Sequence, residues 1–381
     1  MNLLILHNSL DYTKSGVERV SFLLKKELTV RGYNCFEGCI TGENKEHRED
    51  VFVYNFNDSR KLVLSNLFTY LTKYKIDIIL IQGLFDPNIN YALSYLKRHS
   101  NCKIIFCLHN APSAYTRKIP LFFLERIKIF IWYLVKFHTF VVSYHKHRLN
   151  MLKQMFDIAD RFVLLSKTYI DEFCQISNIQ NSKRLIGINN PLTFQKPIVD
   201  LNQKKKQVLI LGRLEDFQKN ISSALRIWKQ IESTGIDDWN LIIVGSGVDD
   251  NNLRNYAKTL NLKHYAFVGE TAEPEKFYQE SSIFMMTSHV EGWPMTLLEA
   301  QQYGCVPIVF NTFAAISEII EDNITGRIIE KDNEIQFFHV LAELMKSNEQ
   351  RKEIAQYCTK ERPHFSAHTI GDQWESLFKS L

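Results

Sequence analysis

Short apolar runs recur along the chain, and stretches with helical spacing lie between them. Such alternation points to an α/β fold with parallel sheets, because neighbouring parallel strands need a crossover and a helix supplies it. In the first half, Leu3–Leu6, Ile76–Ile81, Lys103–Leu108 and Phe162–Leu165 predict strands. A helix over Gly16–Arg31 follows the first of them. In the second half, Val208–Leu211, Leu241–Val244, Tyr265–Val268, Ile283–Thr287 and Val306–Phe310 predict strands. Helices near Ile221–Glu232, Asn252–Asn261, Pro274–Gln279 and Met295–Tyr303 separate them. The halves divide near Pro191–Gln207, where "TFQKPIVDLNQKKKQ" holds a proline, a lysine run and little apolar periodicity. That composition predicts a linker. After Arg362-Pro363 a last helix, about His368–Lys379, ends the sequence. Two such domains are expected to face each other across a cleft lined by strand C-terminal ends, where open α/β sheets bind ligands.

Composition narrows the class. The 381 residues are enough for two cores. Hydrophobic residues at 45% and charged residues at 23% are ordinary for a soluble globular protein. A net charge of +4 is too small to argue for nucleic acid, and no nucleic-acid module is evident. The seven cysteines are scattered and odd in number, and Cys35 and Cys39 lack a partner pair at zinc-site spacing. A reduced, cytoplasmic protein without a structural metal is the expectation. "MNLLILHNSL" has no basic leader and reads as a first core strand. The most apolar stretch, Ile127–Tyr144, is broken by Lys128, Lys136 and His138. It falls short of the roughly 18 uncharged apolar residues a spanning helix needs.

Several loops carry candidate chemistry. In "HVEGWPMTLLEAQQYGCVPI", Glu291 lies in a loop, Pro294 suits a helix start and Gly304 suits the position past its end. Glu299 lies early on that helix, eight residues from Glu291. The free amides of the first turn, from Gly292 through Met295, Thr296 and Leu297, form a ready phosphate site. In "LILGRLEDFQKNI", Gly212 follows a strand and sets Arg213 and Lys219 on the loop beyond it, as a fork and a point charge suited to a diphosphate. "LIIVGSGVDD" places Gly245 and Gly247 between strand and helix, a weak signal alone because the full dinucleotide fingerprint is missing. "AFVGE" ends another strand at Val268, before Glu270. In the first half, "YTKSGVERV" puts Gly16 at a helix entry, and "IIFCLHNAP" puts His109 just after a buried strand.

Together these pieces resemble a retaining glycosyltransferase of family 4 with the GT-B fold. Glu291 and Glu299 match that family's E-x7-E signature, and "GRLEDFQKN", "VGSG", "FVGE", "SGVERV" and "LHN" extend the match over both halves. The resemblance implies a domain over 1–192 to which the final helix, 364–381, returns, a linker over 193–206, and a nucleotide-sugar domain over 207–363. It implies a nucleotide-diphosphate sugar, often UDP-linked, as donor. Glu299 would hold the ribose and Glu291 the donor sugar. Gly212, Arg213, Lys219, Gly245, Gly292 and the amides of Met295, Thr296 and Leu297 would surround the diphosphate. Val268 and Glu270 would lie near the base, Gly16 over the phosphates, and His109 near the reacting carbon. Arg213, Lys219, His109 and Glu291 would form the catalytic set, with no metal and no cofactor. The sequence departs from the family at "MTSHVEG", where Pro-Ser commonly precedes the first Glu, and at "GINNPL", which lacks the usual Asn-Gly.

Residues 117–153 carry eight Lys or Arg against Glu125, a net of +7, interleaved with aromatics such as Phe122, Phe130, Trp132 and Phe137. Such a segment suits an anionic membrane surface. It fits a lipid-linked or glycan acceptor and a peripheral place on the inner face of the plasma membrane. Two other readings stay open. One is a nucleotide-sugar epimerase or hydrolase of the same architecture. The other is a non-catalytic partner that binds glycan or nucleotide sugar.

Overall fold

The computed structural model describes residues 1–13, 15–41, 50–84, 86–116, 146–194, 197–360 and 362–381. The chain divides into two compact units, Met1–Pro191 with Pro363–Leu381, and Leu192–Arg362.

The first unit is built on a seven-stranded parallel sheet. Its strands are β1 (Asn2–His7), β2 (Asn34–Thr41), β3 (Val51–Asn55), β4 (Ile78–Gln82), β5 (Lys103–Leu108), β6 (Arg161–Leu164) and β7 (Leu185–Gly187). Their order is β3-β2-β1-β4-β5-β6-β7. The winding reverses between β1 and β4, which are paired in register from Leu3↔Ile78 to Leu6↔Ile81. β4 is buried along its whole length, as a strand covered on both faces must be. The helix Gly16–Val30 begins with a capping box. Ser15 accepts from the Val17 amide and its hydroxyl donates to the Glu18 carboxylate.

The helix Ala367–Lys379 packs back on this unit. Trp374, Leu377 and Phe378 are buried there, each worth on the order of 1.5–3 kcal/mol of apolar burial. Arg31 fixes the contact by donating to Asp372 at 2.7 Å, to Glu375 at 3.1 Å and to the His368 carbonyl at 2.7 Å.

The second unit has a six-stranded parallel sheet. Its strands are β8 (Lys205–Leu211), β9 (Asn240–Val244), β10 (Tyr265–Gly269), β11 (Ser281–Met286), β12 (Val306–Phe310) and β13 (Arg327–Ile329), in the order β10-β9-β8-β11-β12-β13. The winding reverses between β8 and β11. Trp228, Trp239, Phe310 and Phe337 anchor its core against the helices Ile221–Ser233 and Glu334–Lys346. The chain thus holds two Rossmann-like units, the pair of modules that defines the GT-B fold.

One expectation changes. The stretch 193–206, read as a linker, belongs to the compact Leu192–Arg362 unit. Thr193 bonds Glu299 and Lys204 bonds the Tyr278 carbonyl, so polar contacts replace the missing apolar periodicity. Most of the basic segment, residues 117–145, lies outside the described residues, and 146–158 are helical. Among the described residues, no helix is long and apolar enough to cross a membrane.

Candidate active site

β8 and β11 are neighbours at the point where the second sheet changes direction, the place where such sheets bind ligands. A small cavity there is lined by Gly212, Arg213, Lys219, Thr287 and Ser288. Beside it, two loops pack backbone to backbone. The Gly212 amide donates to the Val244 carbonyl at 3.0 Å, and the Leu214 amide to the Ser246 carbonyl at 2.8 Å. Gly245 has φ +138, and a Cβ there would lie 1.9 Å from the Gly212 carbonyl oxygen. Gly245 and Gly247 are therefore required by loop packing, which keeps the strand ends close enough to form one rim.

Gly212 hands the chain to Arg213 and then to a short helical turn, Asp216–Lys219, closed by Asn220 in the left-handed region at φ 49. That turn aims Lys219 at Glu291, and its Nζ donates to Oε1 at 2.7 Å. Glu291 is 5% exposed, so its charge is answered within the protein. Gln218 binds the two loops together. Its carbonyl accepts from the His289 amide at 2.9 Å, its Nε2 donates to the Val290 carbonyl at 3.4 Å, and its Oε1 accepts from Arg213 at 3.2 Å. The Arg213 side chain is 64% exposed, with one guanidinium nitrogen 3.6 Å from the Glu215 carboxylate, so an anion there would share the fork with Glu215 and Gln218. Thr287 donates to the Asn220 carbonyl at 2.8 Å and ties the end of β11 to the cation loop.

The helix Met295–Gln302 starts at Pro294, which has no side-chain cap. Among the described residues no side chain caps the amides of Met295 and Thr296, and Leu297 returns its amide to the Pro294 carbonyl at 3.1 Å. The helix stops at Gly304, whose φ of +69 suits glycine. Glu299 is 2% exposed and already holds two hydroxyl donors, Thr193 at 2.6 Å and Tyr278 at 2.8 Å. A ribose would share a carboxylate that the protein itself uses to join Thr193 to Tyr278. Gly292 is buried beside Glu291. Val268, 46% exposed, lies on the edge strand β10, and Glu270 beyond it accepts from Ser246 at 3.0 Å.

The first unit places its two candidates at strand ends. Gly16 is exposed as the first residue of its helix, where the Glu18 carboxylate already complements the helix start. His109 follows β5, and its Nε2 lies 2.5 Å from Gln82 Oε1 at the end of β4. Burial pushes the His109 imidazole down to about 4, so it is neutral at pH 7.

The structure thus brings together Gly212, Arg213, Lys219, Gly245 and Glu291 at one rim. It sets Glu299 on a buried network instead of an open face. Sequence reasoning missed Thr193, Gln218, Tyr278, Thr287 and Gln82. Gln218, one residue from Lys219, and Thr287, in "MTSHVEG", lay within stretches already singled out.

The chain is similar to known proteins in sequence and fold. Residues 193–361 match the family model described as "Glycosyl transferases group 1". The amylovoran biosynthesis glycosyltransferase AmsD of Erwinia amylovora is 27% identical over 58% of this chain and 63% of its own length. An alpha-1,4-N-acetyl-D-galactosaminyltransferase of Campylobacter jejuni, whose name specifies a PP-undecaprenol-linked glycan, is 25% identical over 52% of this chain and 55% of its own. The chain thus matches just over half to under two thirds of the length of these relatives. The crystal structure of Anabaena HepE in complex with UDP and glucose has the same fold, with a TM-score of 0.74 at 14% identity over 100% of both chains.

Proposed function

We propose, from the match of residues 193–361 to the model of the group 1 glycosyl transferases, that this chain transfers a sugar from a nucleotide-diphosphate sugar to a hydroxyl of a surface-polysaccharide or lipopolysaccharide precursor. The observation that carries the proposal is the Lys219–Glu291 pair at 2.7 Å beside the exposed Arg213, at the switch point of the second sheet. A carboxylate and two cations at one rim suit a ligand that has both sugar hydroxyls and a diphosphate.

In this reading Arg213, Lys219 and the uncapped amides of Met295 and Thr296 bind the diphosphate. They act where negative charge grows as the anomeric C–O bond breaks, as preorganised electrostatic stabilisers. Glu291 accepts from donor-sugar hydroxyls while Lys219 holds it in place. Glu299 accepts from the ribose beside its bonds from Thr193 and Tyr278, since a carboxylate offers about four acceptor sites. Val268 and Glu270 flank the base. Gly16 lies over the phosphates and His109 near the reacting carbon, as the resemblance implies. The acceptor oxygen forms the new bond to the anomeric carbon on the face the diphosphate leaves, so configuration is retained. Its proton passes to the departing phosphate oxygen. No metal is needed, because the two cations carry the counter-charge. A UDP-linked donor is favoured by the UDP and glucose bound in HepE. The acceptor is lipid-linked or a growing glycan, and the basic stretch 117–153 docks the protein on the anionic inner face of the plasma membrane.

The test is a transfer assay with UDP-, GDP- and ADP-sugars, with and without an acceptor glycan, in EDTA. Transfer that needs acceptor and survives the chelator supports the proposal. Donor turnover at the same rate without acceptor would favour an epimerase or hydrolase, and loss restored by Mg²⁺ would refute the metal-free reading. Flotation with liposomes should recover more protein when anionic lipid is present, and equal recovery would remove the docking role.

A further inference from the structure

Gln82 is 1% exposed at the last position of β4. β4 and β5 pair in register with Gln82 opposite Cys107, so Gln82 and His109 leave neighbouring strands at the same sheet edge. Gly83, at φ +62, turns the chain so that its α-carbon faces the imidazole, and a Cβ there would lie 3.5 Å from Cδ2 of His109. The ring is thus held on one side by backbone and at Nε2 by the Gln82 carbonyl oxygen at 2.5 Å. Nδ1 makes no recorded bond among the described residues. The Gln82 amide nitrogen is buried and has no partner among the described residues. Leaving such a donor unpaired is a stability cost that an apolar side chain of the same shape would not carry.

We infer that Gln82 is a positioning residue. It fixes His109 as the tautomer with its proton on Nε2 and leaves Nδ1 as a bare acceptor for a substrate hydroxyl. The inference rests on the reading that His109 meets a sugar. A neutral imidazole is needed for Nδ1 to accept, and burial of the ring supplies it. The unpaired amide nitrogen is a stability cost that the tautomer explains.

The experiment labels the full chain with ¹⁵N-histidine and reads the ring nitrogens of His109 at pH 7, assigned by their loss in His109→Gln. The wild type should show the Nε2–H pattern. Gln82→Leu should show a mixture of tautomers, melt no lower than the wild type, and lose about two- to tenfold in kcat, the scale of one neutral hydrogen bond. Gln82→Glu keeps an acceptor and should restore the Nε2–H pattern. An Nδ1–H pattern in the wild type, or an unchanged spectrum in Gln82→Leu, would overturn the inference. Should Gln82→Leu fail to fold, the Gln82→Glu spectrum decides, and loss of the Nε2–H pattern there would overturn it. A shifted tautomer with unchanged turnover in both Gln82→Leu and His109→Gln would overturn the assignment of His109 to the substrate instead.

Discussion

Replacing Lys219 by Met separates structural from catalytic work at the candidate site. Its ammonium sits 2.7 Å from Glu291, with the side chains 21% and 6% exposed. Methionine keeps the stem and removes the charge, so Glu291 is left buried without its cation. Breaking a buried pair by removing one partner costs about 3–5 kcal/mol, and the remaining exposure of Lys219 argues for the lower end, about 3 kcal/mol. For a unit of this size that is a fall of about 6–12 °C in the melting transition. Turnover should fall by on the order of 10²-fold, the scale for removing one charge stabiliser. The double substitution Lys219→Met with Glu291→Gln discharges both partners. It should recover most of the lost stability and none of the lost turnover. Differential scanning calorimetry and the transfer assay measure the two effects separately. If the double variant recovers turnover together with stability, Lys219 only neutralises Glu291 and plays no part in the reaction. If Lys219→Met leaves both unchanged, the pair is a surface contact and the reasoning fails.

Three further outcomes follow from the packing. Gly245→Ala should cost more than about 3 kcal/mol or prevent folding of the second unit, because its Cβ meets the Gly212 carbonyl at 1.9 Å at φ +138. Gly269→Ala, at φ +91 in open space, should cost only about 1 kcal/mol, and equal urea midpoints for the two would refute the packing argument. Tyr278→Phe removes a hydroxyl from Glu299 and should lower the stability of the second unit by about 1–3 kcal/mol; an unchanged melting transition would mean that Glu299 is oriented by other contacts. Burial would raise the Glu37 carboxyl, but hydrogen bonds and charge from His7 and Lys25 outweigh it and hold it at about 2, below its usual 4.5. A depressed carboxylate stabilises fully above pH 4.5 and loses that contribution as pH falls toward 2. Lys25→Met should therefore cost up to about 3 kcal/mol at pH 7, and the deficit should shrink between pH 4.5 and pH 2. A deficit constant with pH in urea titrations would contradict this.

The elements with the plainest apolar pattern were legible in the sequence. β1, β5 and β12 are continuous buried runs, and their expected ranges differ from the observed ones by at most a residue or two at either end. β2 was not, because Glu37 sits inside it, held by Lys25 at 2.6 Å, and a charged residue interrupts the strand signal. β7 and β13 are three-residue edge strands, too short to show a period. At the site, the closeness of Arg213, Lys219 and Glu291 could be expected because each lies in a motif beyond a strand's C-terminal end, whereas the direct Lys219–Glu291 pair was not. The network around Glu299 was not. Thr193 is 106 residues away and Tyr278 is 21 residues away, and neither stands in a pattern that marks it. Thr193 also lay in a stretch whose polar composition read as a linker. The glycines of "VGSG" were visible, but their reason, the close approach to Gly212 and Leu214, depends on which strands are neighbours.

The central claim is that the rim formed by Gly212, Arg213, Lys219 and the Met295 helix grips a diphosphate. Calorimetric titration of the wild type with a nucleoside diphosphate, its monophosphate and the bare nucleoside, in uridine, guanosine and adenosine series with EDTA present, tests it most directly. For one base the diphosphate should bind at least tenfold more tightly than the monophosphate, and Arg213→Ala should remove most of that difference. Equal affinity for all three forms in every series, or a diphosphate preference untouched by Arg213→Ala and Lys219→Met, would contradict the account.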